Sequence, residues 1–229
     1  KKGNNYNSSP GKKKGQDKWG QEKISLGFGE LRQARLDKVA AIRAAGLNPF
    51  EYSFNATHSA QELHALYFDK LENGEEDPSS EVSLAGRIMT RRFFGKLAFF
   101  TLQDSSGQVQ LYLDKGRLAE SFKSLKDWTD AGDIIGITGT VKKTDKGELS
   151  VYVRDWKILT KAVAPLPDKW SGLQDREKRY RQRHVDLIVN ANTRNVLRAR
   201  SKITRMMRAS LDAQGFLEIE TPILEKQPG

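Results

Sequence analysis

Gly95-Lys-Leu-Ala-Phe-Phe-Thr-Leu-Gln-Asp-Ser-Ser-Gly-Gln-Val-Gln-Leu-Tyr-Leu113 is the stretch on which the fold turns. Residues 97–102 and 108–113 are rich in aromatic and aliphatic side chains, and Asp104-Ser-Ser-Gly107 between them is turn chemistry. The spacing predicts a tight antiparallel hairpin. Residues two apart in a strand share a face, so Phe99 lies with Leu97 and Thr101 while Phe100 points the other way. In the second strand Val109, Leu111 and Leu113 make an apolar face, and Gln108, Gln110 and Tyr112 make its opposite. One side of the hairpin suits a core. The other carries an aromatic ring and an amide near Arg91 and Arg92, which suits an unstacked base beside a phosphate. An ordinary hairpin with a solvent-facing glutamine has the same pattern, and this stretch alone does not separate the two.

Around the hairpin the strand period continues. Residues 82–90, 133–142 and 148–159 are three more strand-like runs, the last two joined by Asp145-Lys-Gly147. Residues 115–128 read as helix, with Leu118, Phe122 and Leu125 on one side. Three strands, a helix and two strands is the order of the OB-fold, a small Greek-key barrel that binds oligonucleotides across strands 2 and 3. An SH3-like barrel competes, but normally lacks the interposed helix.

Ahead of the barrel, residues 30–45 carry an apolar stripe of Leu31, Leu36, Val39 and Ile42, stopped by Gly46. Ser59 and Glu62 form a capping box before Leu63, Leu66, Tyr67 and Leu71, which predicts a second helix. Beyond the barrel, Pro165 and Pro167 mark a linker. Residues 175–189 read as a basic helix, and residues 192–214 as a longer one seamed by Val196, Ala199, Ile203, Met206, Met207, Ser210 and Leu211. Such a seam is either intramolecular core or a dimer interface. Gly215 stops the helix, and residues 216–219 read as a short strand leading to Thr221-Pro222. A lone strand cannot bury itself, so the expectation is a larger second domain cut short. The division expected is a basic tail over 1–29, helices over 30–81, a barrel over 82–160, a linker over 161–174 and the start of a second domain over 175–229.

The net charge of the 229 residues is +10, and it is unevenly spread. Residues 1–29 carry a net +5, residues 30–81 a net −5, residues 82–159 a net +4 and residues 174–208 a net +8. That points to a polyanionic partner. The basic segments lack the apolar face of an interfacial membrane helix. The tail, made of Gly, Asn, Ser and Lys, is expected to be disordered, as an electrostatic arm or a passive extension. It starts without Met and has no secretory apolar stretch, which fits a trimmed product. No apolar run approaches the roughly 20 residues that cross a bilayer. Zero cysteines exclude disulfides and cysteine-ligated metal, and fit a reducing, cytoplasmic setting, with an organelle as the alternative. His58, His64 and His184 show no metal spacing, and no Gly-rich phosphate loop occurs.

Pro165-Leu-Pro-Asp-Lys-Trp-Ser-Gly-Leu-Gln-Asp-Arg-Glu-Lys-Arg-Tyr-Arg-Gln-Arg-His-Val-Asp-Leu-Ile188 resembles the stretch that joins the two domains of class II lysyl-tRNA synthetases. Gly86-Arg-Ile-Met-Thr-Arg-Arg92, Phe99-Phe-Thr-Leu-Gln-Asp104 and Gly147-Glu-Leu-Ser150 are similar to that family's OB-fold, and Gly215-Phe-Leu-Glu-Ile-Glu-Thr-Pro222 looks like class II motif 1. The resemblance covers about residues 30–229. Aspartyl and asparaginyl enzymes share the barrel and motif 1, but the linker wording and the two N-terminal helices favour the lysyl member. The fold it implies is mixed: an OB-fold β-barrel with N-terminal helices, then the start of a class II α/β catalytic domain.

By this resemblance the barrel grips the anticodon of tRNA(Lys). Phe99 stacks on the central uridine, Gln110 hydrogen-bonds its edge, Glu148 contacts an anticodon base and Arg91 faces the anticodon. Ile203, Met207 and Pro222 fall at the homodimer interface. The family activates L-lysine with ATP and Mg²⁺ and transfers it to tRNA, positioning ATP with arginines of motifs 2 and 3. Neither motif occurs in this chain, so the polypeptide is expected to bind tRNA without charging it. The alternatives are a generic OB-fold module for single-stranded nucleic acid and a regulatory relative that lacks the active site.

Overall fold

Five strands close on one another in the order β1-β2-β3-β5-β4, the last pairing again with the first. They are β1 (Glu76–Phe94), β2 (Leu97–Gln103), β3 (Gln108–Asp114), β4 (Ile134–Lys143) and β5 (Leu149–Thr160). All neighbours are antiparallel except β3 and β5. This computed structural model describes residues 27–51, 53–167 and 173–224, so the expectation of a disordered tail falls outside the described residues up to residue 26. The chain divides into two units, Lys1–Pro165 and Leu166–Gly229.

In the first unit the alternation of side chains decides what is inside. Ala98, Phe100 and Leu102 of β2 are buried, as are Val109, Leu111 and Leu113 of β3. They join Val82, Leu84, Ile88, Ile135, Ile137, Val141, Leu149, Val151 and Val153 in one core. Gly139 lets the barrel close: a Cβ there would collide with the Tyr152 backbone carbonyl where β4 crosses β5. The strand β1 carries a bulge between Ile88 and Thr90, whose partners Leu102 and Thr101 are adjacent in β2. Two residues of β1 therefore face one of β2, and alternation changes sides at Met89.

Asp104 builds the hairpin turn. Its Oδ1 accepts from the backbone N–H of Ser106 at 2.7 Å and of Gly107 at 2.8 Å. Its Oδ2 accepts from Ala60 N–H at 2.7 Å, the first residue of helix α2 (Ala60–Tyr67). One carboxylate thus closes the hairpin and satisfies a helix N-terminus. The capping box forms as expected, Ser59 Oγ accepting from Glu62 N–H and Glu62 Oε2 from Ser59 N–H.

Helix α1 (Phe28–Ala44) docks through charge as well as through buried Val39 and Ile42. Lys38 Nζ bonds Asp130 at 2.8 Å, and Arg35 donates to the carbonyls of Ala131 and Ala162. Lys161, expected in an exposed linker, is instead 2% exposed and pairs with Asp130 and Asp133. The expected single helix over 115–128 is two, α3 (Lys115–Leu118) and α4 (Ser121–Trp128), because Ala119 takes φ 48° and breaks the turn.

The second unit holds α5 (Arg176–Arg181), α6 (Arg183–Val189) and α7 (Ala191–Asp212). The helix expected over 175–189 breaks at Gln182 (φ −115°, ψ 54°). Asp186 is its only buried residue among those described. That carboxylate accepts from Arg179 Nε at 2.9 Å, Arg183 Nη1 at 2.6 Å, Asn190 Nδ2 at 2.6 Å and Thr193 Oγ1 at 3.3 Å. Burial alone would raise its pKa, but the Asn190 and Arg179 hydrogen bonds and the arginine charge hold it below the ordinary carboxylate value. The seam of α7 is open, with Ile203 58% and Met207 62% exposed, and Pro222 is exposed as well. Residues 216–219 form no strand, for no neighbouring strand among the described residues offers them hydrogen bonds.

Candidate nucleic-acid interface

The outward face of the barrel is organised in rows by its register. Arg92 pairs with Phe99, Phe99 with Tyr112 and Tyr112 with Tyr152 across β1, β2, β3 and β5. The next row runs Thr101, Gln110, Ser150 and Lys142. Because residues opposite one another on a sheet project together, these rows make one continuous platform.

Its aromatic rings stand edge to face. Ring centroids lie 6.1 Å apart for Phe94 and Phe99, 5.2 Å for Phe99 and Tyr112, and 5.0 Å for Tyr112 and Tyr152. Lys142 Nζ sits 5.0 Å from the Tyr112 ring centroid and 5.4 Å from that of Tyr152, close enough for cation–π attraction to hold it there. The rows open into a groove of about 560 Å³ lined by Arg92, Phe94, Phe99, Gln110, Tyr112, Lys142, Lys146 and Glu148. Both phenols are kept protonated: burial, then the charge of Asp114, raises the pKa of Tyr112 and of Tyr152. The arrangement offers rings to stack on, cations at the rim, and one amide and one carboxylate to read an edge.

Of the residues singled out in the sequence, Phe99, Gln110 and Glu148 come together in this groove. Arg91 does not. The bulge at Met89 turns it to the other side of β1, where Nη1 lies 3.3 Å from Asp130 Oδ1 and Nη2 donates to the Lys126 carbonyl at 3.1 Å. Burial lowers its pKa, while Asp130 opposes that. Arg92, pairing with Phe99, takes the groove position in its place. Sequence reasoning also passed over Phe94, Lys142 and Lys146 as site residues. Phe94 adjoins the hairpin in sequence, but Lys142 and Lys146 lie well beyond it, and only the closure of β3 on β5 brings them into the groove that Phe99 lines.

Known proteins bear on this geometry directly. Residues 82–159 match the tRNA anticodon family, described as an OB-fold nucleic acid binding domain. Residues 175–229 match class II tRNA synthetases of the D, K and N type. The lysine–tRNA ligase of Nostoc punctiforme is 54% identical, over 87% of this chain and 37% of the relative. The chain is thus similar, through both matched domains and in the same order, to lysine–tRNA ligases. Lysine–tRNA ligases of Thermosynechococcus vestitus (52% identical, 40% of the relative) and of Prochlorococcus marinus strain SARG (47%, 41% of the relative) match 87% of the chain in the same way. The chain thus spans about two fifths of the length of these lysyl-tRNA synthetases. No helix among the described residues is long and apolar enough to cross a membrane.

Proposed function

We propose that this barrel binds the anticodon of tRNA(Lys) as the tRNA-recognising part of a cytoplasmic lysine–tRNA ligase. Phe99 stacks on the central uridine, Gln110 and Glu148 read base edges, and Arg92, Lys142 and Lys146 hold phosphates. The observation that carries this reading is the single groove in which a ring, an amide and a carboxylate converge inside a cationic rim. Stacking contributes about 1–3 kcal/mol per base but tolerates every base, so specificity falls to the amide and the carboxylate.

The full-length protein joins L-lysine to tRNA using ATP and Mg²⁺, and it works as a homodimer. The exposed seam of α7, with Ile203 and Met207, and the nearby Pro222 supply part of that dimer surface. Among the described residues no group of three or more His, Cys, Asp or Glu could hold a metal ion.

The test is the affinity of this chain for a tRNA(Lys) transcript beside the same transcript with the central anticodon uridine replaced by cytidine. A loss of about tenfold, the worth of one good hydrogen bond to a base edge, is expected. Equal binding of both transcripts, with a steep salt dependence, would make the barrel a generic single-strand module instead.

A further inference from the structure

Gln110 is not a free side chain. Its Oε1 accepts a hydrogen bond from Ser150 Oγ at 2.9 Å, while Nε2 has no protein partner among the described residues. Ser150 is itself fully buried, in β5, at the position paired with Gln110. Its other contact, to the Glu148 carbonyl, is longer at 3.4 Å, so the single hydroxyl proton goes to the amide. Gln110 lines the groove, so the half of its amide left for a ligand is the NH₂.

An amide without such a tether turns over readily, since its two ends have nearly the same shape. Tethered through its oxygen, it is a donor toward the ligand. Uracil presents a carbonyl at position 4, which accepts. Cytosine presents an amino group there, and two facing donors both go unpaired. A polar site rejects the wrong base chiefly by that unpaired cost.

We propose that Ser150 is a positioning residue that fixes the polarity of the Gln110 amide, so that the groove selects a keto pyrimidine over an amino pyrimidine. This rests on the anticodon reading above. A buried side chain that does not line the groove would thus set the specificity that Gln110 delivers.

The experiment uses the whole chain and the two transcripts already described, with Ser150→Ala, Ser150→Thr and Gln110→Glu beside the parent sequence. Ser150→Ala removes one hydroxyl and no ladder hydrogen bond. The uridine-over-cytidine ratio is expected to fall about five- to tenfold in Ser150→Ala, by lost affinity for uridine and gained affinity for cytidine. Ser150→Thr keeps the hydroxyl and restores the ratio. Gln110→Glu, an acceptor only, shifts the ratio toward cytidine. Without any RNA, the NMR order parameter of the Gln110 side-chain amide is expected to drop in Ser150→Ala.

A parent ratio of one would sink the anticodon reading itself. A parent that discriminates, with Ser150→Ala discriminating equally well, would overturn the role of Ser150 alone. So would a Ser150→Ala chain that melts lower and loses both transcripts in proportion, because Ser150 would then be only structural. An unchanged order parameter overturns it too, even if Ser150→Thr fails to fold.

Discussion

The barrel and the helical unit solve the same problem with opposite materials. The barrel buries a continuous set of aliphatic and aromatic side chains from all five strands, and beside them one ion pair, Lys161 with Asp133. The helical unit buries one described residue, the carboxylate of Asp186, and leaves the apolar seam of α7 open. Apolar burial is non-directional and accumulates with area. A buried carboxylate depends on the geometry of a few donors, and becomes costly once they leave. The barrel should therefore tolerate change at the polar contacts of its rim, whereas its buried Lys161–Asp133 pair and the Asp186 cluster of the helical unit should not.

The largest effect separates the two faces of β2 as well as the two units. Phe100→Ala removes a ring that is 1% exposed and should cost about 3–5 kcal/mol of barrel stability, read from denaturant unfolding. A loss below about 1 kcal/mol would mean that the core is less dependent on this ring than its burial implies. Next comes Asp186→Ala, expected to cost the helical unit about 2–3 kcal/mol, the worth of its charged hydrogen bonds, with the barrel transition unmoved. Amide exchange would show protection lost in α5 to α7 alone. Simultaneous loss in the barrel would erase the contrast between the units.

Phe99→Ala should weaken tRNA(Lys) binding by about 1–3 kcal/mol and leave unfolding nearly unchanged. A severe drop in thermal stability would put Phe99 in the core. The gentlest effect at ordinary pH is acid sensitivity. Burial raises the pKa of Asp186 and Asp130, but hydrogen bonds and charges outweigh it, from Asn190 and Arg179 in one case and from Lys161 and Lys38 in the other. Both folded-state values lie below the unfolded reference of 3.8. Their stabilisation is present above that value and is lost as pH falls through the depressed folded values. On lowering the pH past about 4, NMR should show the helical unit melting before the barrel, which keeps its apolar core. The reverse order would break the comparison.

The barrel was legible because its strands repeat every two residues, and Asp104-Ser-Ser-Gly107 marks its central turn. The sidedness of Phe99, Phe100, Gln110 and Tyr112 followed from the same rule and agrees with the burial. What escaped were single backbone events. Ala119 at positive φ splits a helix whose side chains pattern as one, and Gln182 does the same in a basic stretch. Buried charge escaped as well. Lys161 and Asp186 have exposed-type side chains, and only partners distant in sequence or turned inward by folding take them out of water. Ser150 was visible as a residue of Gly147-Glu-Leu-Ser150, but its hydrogen bond to Gln110 joins strands 40 positions apart.

The extra residue in β1 has a consequence for how such barrels can be edited. Upstream of Met89 every second residue of the strand keeps one parity, and downstream that parity is inverted. Arg91 and Arg92 are chemically identical neighbours, yet one is a strut bolted to Asp130 and the other lines the groove. Deleting Met89 would remove the bulge and leave each arginine opposite its present partner, Arg91 across from Phe100 and Arg92 across from Phe99. The face each arginine takes is thus set by its partner across the ladder, and not by the count of residues that separates it from the last core position of β1.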